Sequence, residues 1–147
     1  MGMPPECDAW GGRIVRMQTR QIPMIFRWLP ALMLMAAIFL FSSTPAGRLP
    51  YFGEIDLLIK KGGHAIGYAL LALAYYFALP PRLSPMYRGV LAFIMALLFA
   101  LSDEFHQSFV EGRTSTLRDV GIDSAGAAFA LIFSVLYSSN SRSKSNS

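Results

Sequence analysis

Four apolar stretches, each about the length that crosses a bilayer as a helix, are packed into a chain of 147 residues. They occupy residues 22–43, 62–79, 86–102 and 120–137, joined by short polar connections. Hydrophobic residues make up 54% of the chain and charged residues 15%. That balance leaves too little polar surface for four such blocks to fold as a soluble domain. The expected fold class is all-α, a four-transmembrane-helix bundle with a single membrane domain over residues 22–137. Pro80, Pro81 and Pro85 break the chain between the second and third blocks, so those helices should be antiparallel neighbours. The strictly apolar part of the third block, Gly89 to Leu101, is short for a span. It is expected to continue as helix to Gln107, giving a third helix over residues 86–107.

Outside the blocks lie a polar N-terminal tail, residues 1–21, expected to be disordered, and a low-complexity tail, 138–147, expected to be mobile. Met17 is as good a start as Met1. Arg20 and Arg27 before the first apolar core are arranged as in a signal peptide. The segment "FSSTPAGR" has no A-x-A cleavage site, and the apolar run is long, so the block is read as a retained helix. The one cysteine, Cys7, allows neither an intrachain disulfide nor a cysteine metal site. The net charge of +4 is scattered between apolar blocks, with no basic helix or aromatic-basic platform, which argues against nucleic acid as a partner.

Orientation follows from where the 13 Lys and Arg residues fall. Arg13, Arg16, Arg20, Arg27, Arg82, Arg88, Arg142 and Lys144 lie on the side of the two tails and the proline-rich connection. Arg48, Lys60, Lys61, Arg113 and Arg118 lie on the other side. The bias places both termini in the cytoplasm of a cell with an inner (cytoplasmic) membrane. The polar stretch "ALSDEFHQSFVEGRTSTLRDVGIDSAG" then faces outward.

That stretch puts ionisable groups at the mouths of two spans. In the second block, Lys61, His64 and Tyr68 recur at helical spacing and share a face. At the end of the third, Asp103 and His106 are three apart, as are Glu104 and Gln107. Gly112 marks a turn, Arg113 follows, Asp119 stands where an N-cap would stand, and Asp123 lies one turn deeper. Each has a plain structural explanation: lysines snorkel, carboxylates cap or need a partner, and a histidine bridges helices. Ionisable groups inside a span are costly, however, and mark functional sites by default. The candidate acid–base groups are His64, Glu104 and Asp119. The candidate substrate-binding groups are Lys61, Tyr68, Gln107, Arg113 and Asp123. Arg113 is expected to bridge Glu104 and Asp119. The pattern "GAAFA", 126–130, favours close helix packing.

The pattern Lys61-x-x-His64-x-x-x-Tyr68, Ser102-Asp103-Glu104-x-x-Gln107, Gly112-Arg113, Asp119 and Gly126 resembles the VanZ-like family of small bacterial membrane proteins. The resemblance runs from about Phe41 to Tyr137. It implies a polytopic inner-membrane protein and a connection with susceptibility to glycopeptides of the teicoplanin type. Many family members carry Asn where this chain has Asp123, and a second glycine of the last helix is Ala130 here.

Three function classes remain open at this point. One is an enzyme acting on a lipid-linked envelope precursor. Another is a binding or envelope-modulating protein without chemistry, whose cluster would recognise a lipid headgroup or a glycopeptide. The third is a metal-dependent enzyme drawing on His64, His106, Asp103, Glu104 or Asp119, although their spacing matches no standard metal motif. A transporter is weaker, since no repeat is visible. No nucleophile elbow, phosphate-cradling glycine loop or HExxH motif is present, so no reaction type follows and no cofactor is expected. The expected partners are membrane lipids, the anionic precursor and a second copy of the chain in a homo-oligomer.

Overall fold

The computed structural model describes residues 23–145. Within them lie four α-helices, α1 (Met24–Ser42), α2 (Asp56–Ala78), α3 (Pro85–Gln107) and α4 (Leu117–Ser145), with two short 3-10 turns in the connection between α1 and α2. All four are long and apolar enough to cross a membrane, and the described residues contain no strand. The chain is therefore a multi-pass membrane protein with an all-α bundle. Its core is small, built from Tyr68, Leu71, Ala72, Tyr75 and Tyr76 of α2 against Ala92, Ala96 and Ala100 of α3 and Ala127 and Leu131 of α4. Large side chains point outward along every helix, Leu32, Phe77, Leu98 and Phe133 among them. That distribution suits a bundle solvated by lipid, where small residues line the interfaces and hydrocarbon covers the rest.

Helix ends in a bilayer leave carbonyls that water does not reach, and arginines cover them here. The Arg27 Nη2 donates to Phe77 O at 2.6 Å and Leu79 O at 2.8 Å. The Arg88 guanidinium donates through Nε and Nη2 to Tyr76 O, at 3.1 and 2.6 Å, and lies 4.2 Å over the Tyr76 ring. Both close the C-terminal end of α2 from other helices. The third helix starts on Ser84, whose Oγ accepts from Tyr87 N at 3.3 Å, with Pro85 at the first helical position.

Three helix bounds differ from those the apolar runs suggest. The second helix begins at Asp56 rather than Gly62. Asp56 accepts from Phe52 N and pairs with Lys60 one turn on, at 2.7 Å, which extends the helix through a polar segment. The fourth begins at Leu117, so Asp119 is not its N-cap. Thr116 fills that position, its Oγ1 accepting from Asp119 N at 3.3 Å and donating to Asp119 Oδ2 at 2.8 Å. The same helix continues to Ser145, past Tyr137. No glycine or proline stops it, and Tyr76 OH donates to Ser138 Oγ at 3.1 Å. The N-terminal tail, including Cys7, lies outside the described residues.

Candidate functional site

Two connections meet at one end of the bundle. Residues 43–55 join α1 to α2, and residues 108–116 join α3 to α4. Ala46 N donates to Glu111 O at 3.2 Å. Gly112 sits beside this contact with φ +73°, a conformation only glycine adopts freely. A Cβ there would also come within 3.1 Å of the Ala46 Cβ.

Beneath these connections lies a polar chamber of about 200 Å³. Lys61 and His64 enter it from α2, Glu104 and Gln107 from α3, Arg113 from the loop, and Asp119 and Asp123 from α4. Of the candidate acid–base and substrate-binding residues, Tyr68 alone does not line it, and of the candidate metal ligands Asp103 and His106 also lie outside it. The Tyr68 side chain is 1% exposed, one turn below His64, and its hydroxyl has no hydrogen-bond partner among the described residues. The two rings stack at 6.4 Å.

The pairing inside the chamber differs from the expected one. Asp119 is held by Lys61 in an ion pair and by the Thr116 hydroxyl. Glu104 accepts from Thr116 N at 2.9 Å, and its backbone carbonyl accepts from Ser115 Oγ at 2.8 Å. Arg113 bridges neither carboxylate. It donates from Nη2 to Phe41 O at 2.6 Å and from Nε to Thr44 O at 3.2 Å. The turn at Gly112 carries Arg113 toward the end of α1, whose last carbonyls lack helical partners, while Glu104 and Asp119 are already engaged. Among the described residues no carboxylate lies within ion-pair distance of Arg113. Partial burial pulls its pKa below the ordinary arginine value, while Asp103 and Glu104 act in the opposite direction. A guanidinium so placed keeps its charge.

His64 and Asp123 face each other across the α2–α4 contact, Nδ1 to Oδ2 at 3.7 Å. That separation is too long for a hydrogen bond and short enough for strong electrostatic coupling. Gly126 brings them together. A Cβ at Gly126 would overlap the carbonyl oxygen of Ala65, the residue after His64. Asp123 is 2% exposed and its Oδ1 has no hydrogen-bond partner among the described residues.

A second buried node lies beside the chamber, and of its members only Gln107 is among the acid–base and binding residues expected from sequence. Ser42 at the end of α1 donates to Asp103 Oδ2 at 2.7 Å, and Gln107 Nε2 donates to the same oxygen at 2.9 Å and to Ser42 Oγ at 3.3 Å. Asp103 shares a helix face with Gln107, so the spacing was a usable signal. Ser42 carried none, since a serine at the end of an apolar run reads as a boundary. His106 is directed away from the chamber. Its ring packs on Phe39 with centroids 4.5 Å apart, and its Nε2 lies 3.0 Å from Ser43 Oγ. Among the described residues no three His, Cys, Asp or Glu side chains converge as a metal site would require.

The VanZ/LLP1 family profile matches residues 24–138, from the start of α1 through the chamber residues of α4. The chain belongs to the VanZ/LLP1 family. No curated protein and no solved structure matches it. In this VanZ/LLP1 protein the matched region contains α1, α2 and α3, α4 as far as Ser138, and both connections that line the chamber.

Proposed function

We propose that this VanZ-like protein binds the anionic headgroup of a lipid-linked envelope precursor in the polar chamber, at the outer face of the cytoplasmic membrane, and so influences susceptibility to teicoplanin-type glycopeptides. The observation that supports this reading is the state of Arg113. Its charge is held at the chamber wall by two neutral carbonyls and has no carboxylate partner among the described residues. A planar guanidinium beside Lys61 and His64 suits a phosphate or carboxylate group. The test is retention of dioleoylphosphatidic acid over dioleoylphosphatidylcholine by the full chain in detergent, read by native mass spectrometry. The wild type should prefer the anionic lipid, and Arg113→Gln should lose at least about tenfold of that preference, in line with the worth of a charge-assisted hydrogen bond. Equal retention of the two lipids by the wild type would overturn the reading.

A second reading, proton-transfer chemistry on the same ligand, draws on the His64–Asp123 pair and Glu104 in one chamber. Glu104→Gln keeps an acceptor for Thr116 N and removes the ionisable group. If the protein is an enzyme, that variant should fold and bind but leave the envelope lipids of a complemented deletion strain like those of the deletion. Wild-type lipids in that strain would leave only the binding role.

Both termini are assigned to the cytoplasm. Cys7 should accordingly resist a membrane-impermeant thiol reagent in intact cells and react after lysis. Labelling in intact cells would reverse the orientation and turn the chamber inward.

A further inference from the structure

An apolar groove of about 540 Å³ runs between α1 and α2 on the membrane-facing side of the bundle. One wall is Leu34, Ile38 and Phe41 of α1. On the other, Gly63 and Gly67 leave α2 without side chains. A Cβ at Gly63 would meet nothing within 4 Å, and one at Gly67 would touch only the Ile38 side chain at 3.7 Å. The glycines therefore do not serve close helix packing here, unlike Gly126. They hold a furrow open.

At one end this groove joins the polar chamber. Leu49, Lys60 and His64 line both. An apolar furrow thus leads along the membrane direction to a pair of lysines, a histidine and Arg113. From Ile59 to Gly67 the groove follows eight residue steps of helix, about 12 Å at the helical rise. One leaflet of the hydrocarbon core is about 15 Å deep. The groove therefore matches a chain lying within the leaflet next to the chamber, and it does not reach the far leaflet.

We infer that the ligand is a membrane lipid with a phosphate headgroup, and that its hydrocarbon chain lies in the α1–α2 groove while the headgroup enters the chamber between Lys60 and His64. This rests on the headgroup reading above and adds the route and the chain. Entry is lateral, from the bilayer, because the groove opens between α1 and α2 and shares Leu49, Lys60 and His64 with the chamber. Lys60 is positioned at the junction, where its Nζ is held by Asp56 at 2.7 Å. The pair is only partly buried, so a phosphate can compete with Asp56 for the ammonium.

The experiment compares two probes on the full chain in detergent. One is dioleoylphosphatidic acid. The other is glycerol 3-phosphate, which carries the same headgroup chemistry without chains. Gly63→Leu fills the furrow, meets no neighbour at its Cβ and replaces glycine with a better helix former. It should weaken binding of the lipid at least tenfold while leaving the affinity for glycerol 3-phosphate unchanged. Ala37→Phe, an exposed groove position on α1, should do the same and replaces Gly63→Leu if that variant does not accumulate. Selective lipid binding that neither substitution affects would sink the groove and leave the headgroup site standing. If the wild type does not distinguish phosphatidic acid from phosphatidylcholine, the headgroup reading fails and the groove proposal goes with it. Equal weakening of both probes would show that the substitutions damage the chamber, and would also overturn the assignment of the groove to the chain.

Discussion

Gly126→Val is expected to destabilise the bundle by more than about 3 kcal/mol, beyond the usual range for overpacking. The reason is what the new side chain would meet. A Cβ at Gly126 would overlap the Ala65 carbonyl oxygen and lie 3.0 Å from its carbonyl carbon and 3.2 Å from its Cα. These are backbone atoms of α2, so no rotamer change relieves the clash and the two helices must move apart. Gly89 is a useful contrast. A Cβ there would come 2.7 Å from Val135 Cγ2, the end of a side chain that can turn away. Gly121→Ala, on the same helix as Gly126 with nothing within 4 Å of the new Cβ, is expected to be neutral or to stabilise by up to about 1 kcal/mol through helix propensity. Thermal unfolding in detergent should rank the variants Gly121→Ala, Gly89→Ala, Gly126→Val in order of falling midpoint, the last by roughly 10 °C or more. The same separation would pull His64 from Asp123, so the variant should also lose whatever the chamber does. A Gly126→Val protein that melts like wild type would mean that α2 and α4 do not approach here.

The apolar blocks were enough to read the fold, because a bilayer permits few alternatives for runs of that length. The continuation of α3 to Gln107 was legible for the same reason: the run to Leu101 could not span without it. Helix ends were harder to read. Asp56 and Lys60 look like loop residues until their i,i+4 pair is seen, and the serines after Tyr137 look like a tail although nothing in them breaks a helix. The chamber was partly legible, since helical spacing alone gathers Lys61 with His64 and Glu104 with Gln107. The partners within it were not. Charge suggested that Arg113 would seek Glu104 and Asp119, but sequence gives no view of where the carbonyls at the end of α1 come to rest. Nor does it show that Lys61 reaches Asp119 across 58 residues of chain. Arg27 and Arg88 illustrate the same blindness: counted as topology signals, they are also caps on a helix that neither belongs to.

Asp103→Ala is expected to cost about 3 kcal/mol or more and to loosen the end of α1. Ser42, 0% exposed, and Gln107, 4% exposed, both donate to Asp103 Oδ2. Among the described residues, removing that acceptor leaves the buried Ser42 hydroxyl with no acceptor and Gln107 Nε2 with only its 3.3 Å bond to Ser42 Oγ, and an unsatisfied buried group costs about 1–3 kcal/mol. Asp103→Asn retains a carbonyl oxygen in the same place and should cost closer to about 1 kcal/mol. The consequence reaches the chamber through the chain itself. Phe41 and Thr44, whose carbonyls hold Arg113, flank Ser42 and Ser43. When Ser42 loses its anchor on α3, the platform that positions the guanidinium moves with it. Limited proteolysis should therefore cut the 43–55 connection faster in Asp103→Ala than in Asp103→Asn, and binding of an anionic probe should weaken in the same order. A double-mutant cycle isolates the coupling. Ser42→Ala with Asp103→Ala removes a donor together with its acceptor, so the pair should be less destabilising than the two single costs added. Strict additivity in that cycle, or an Asp103→Ala protein with wild-type stability, would show that α1 is held to α3 by something other than this node.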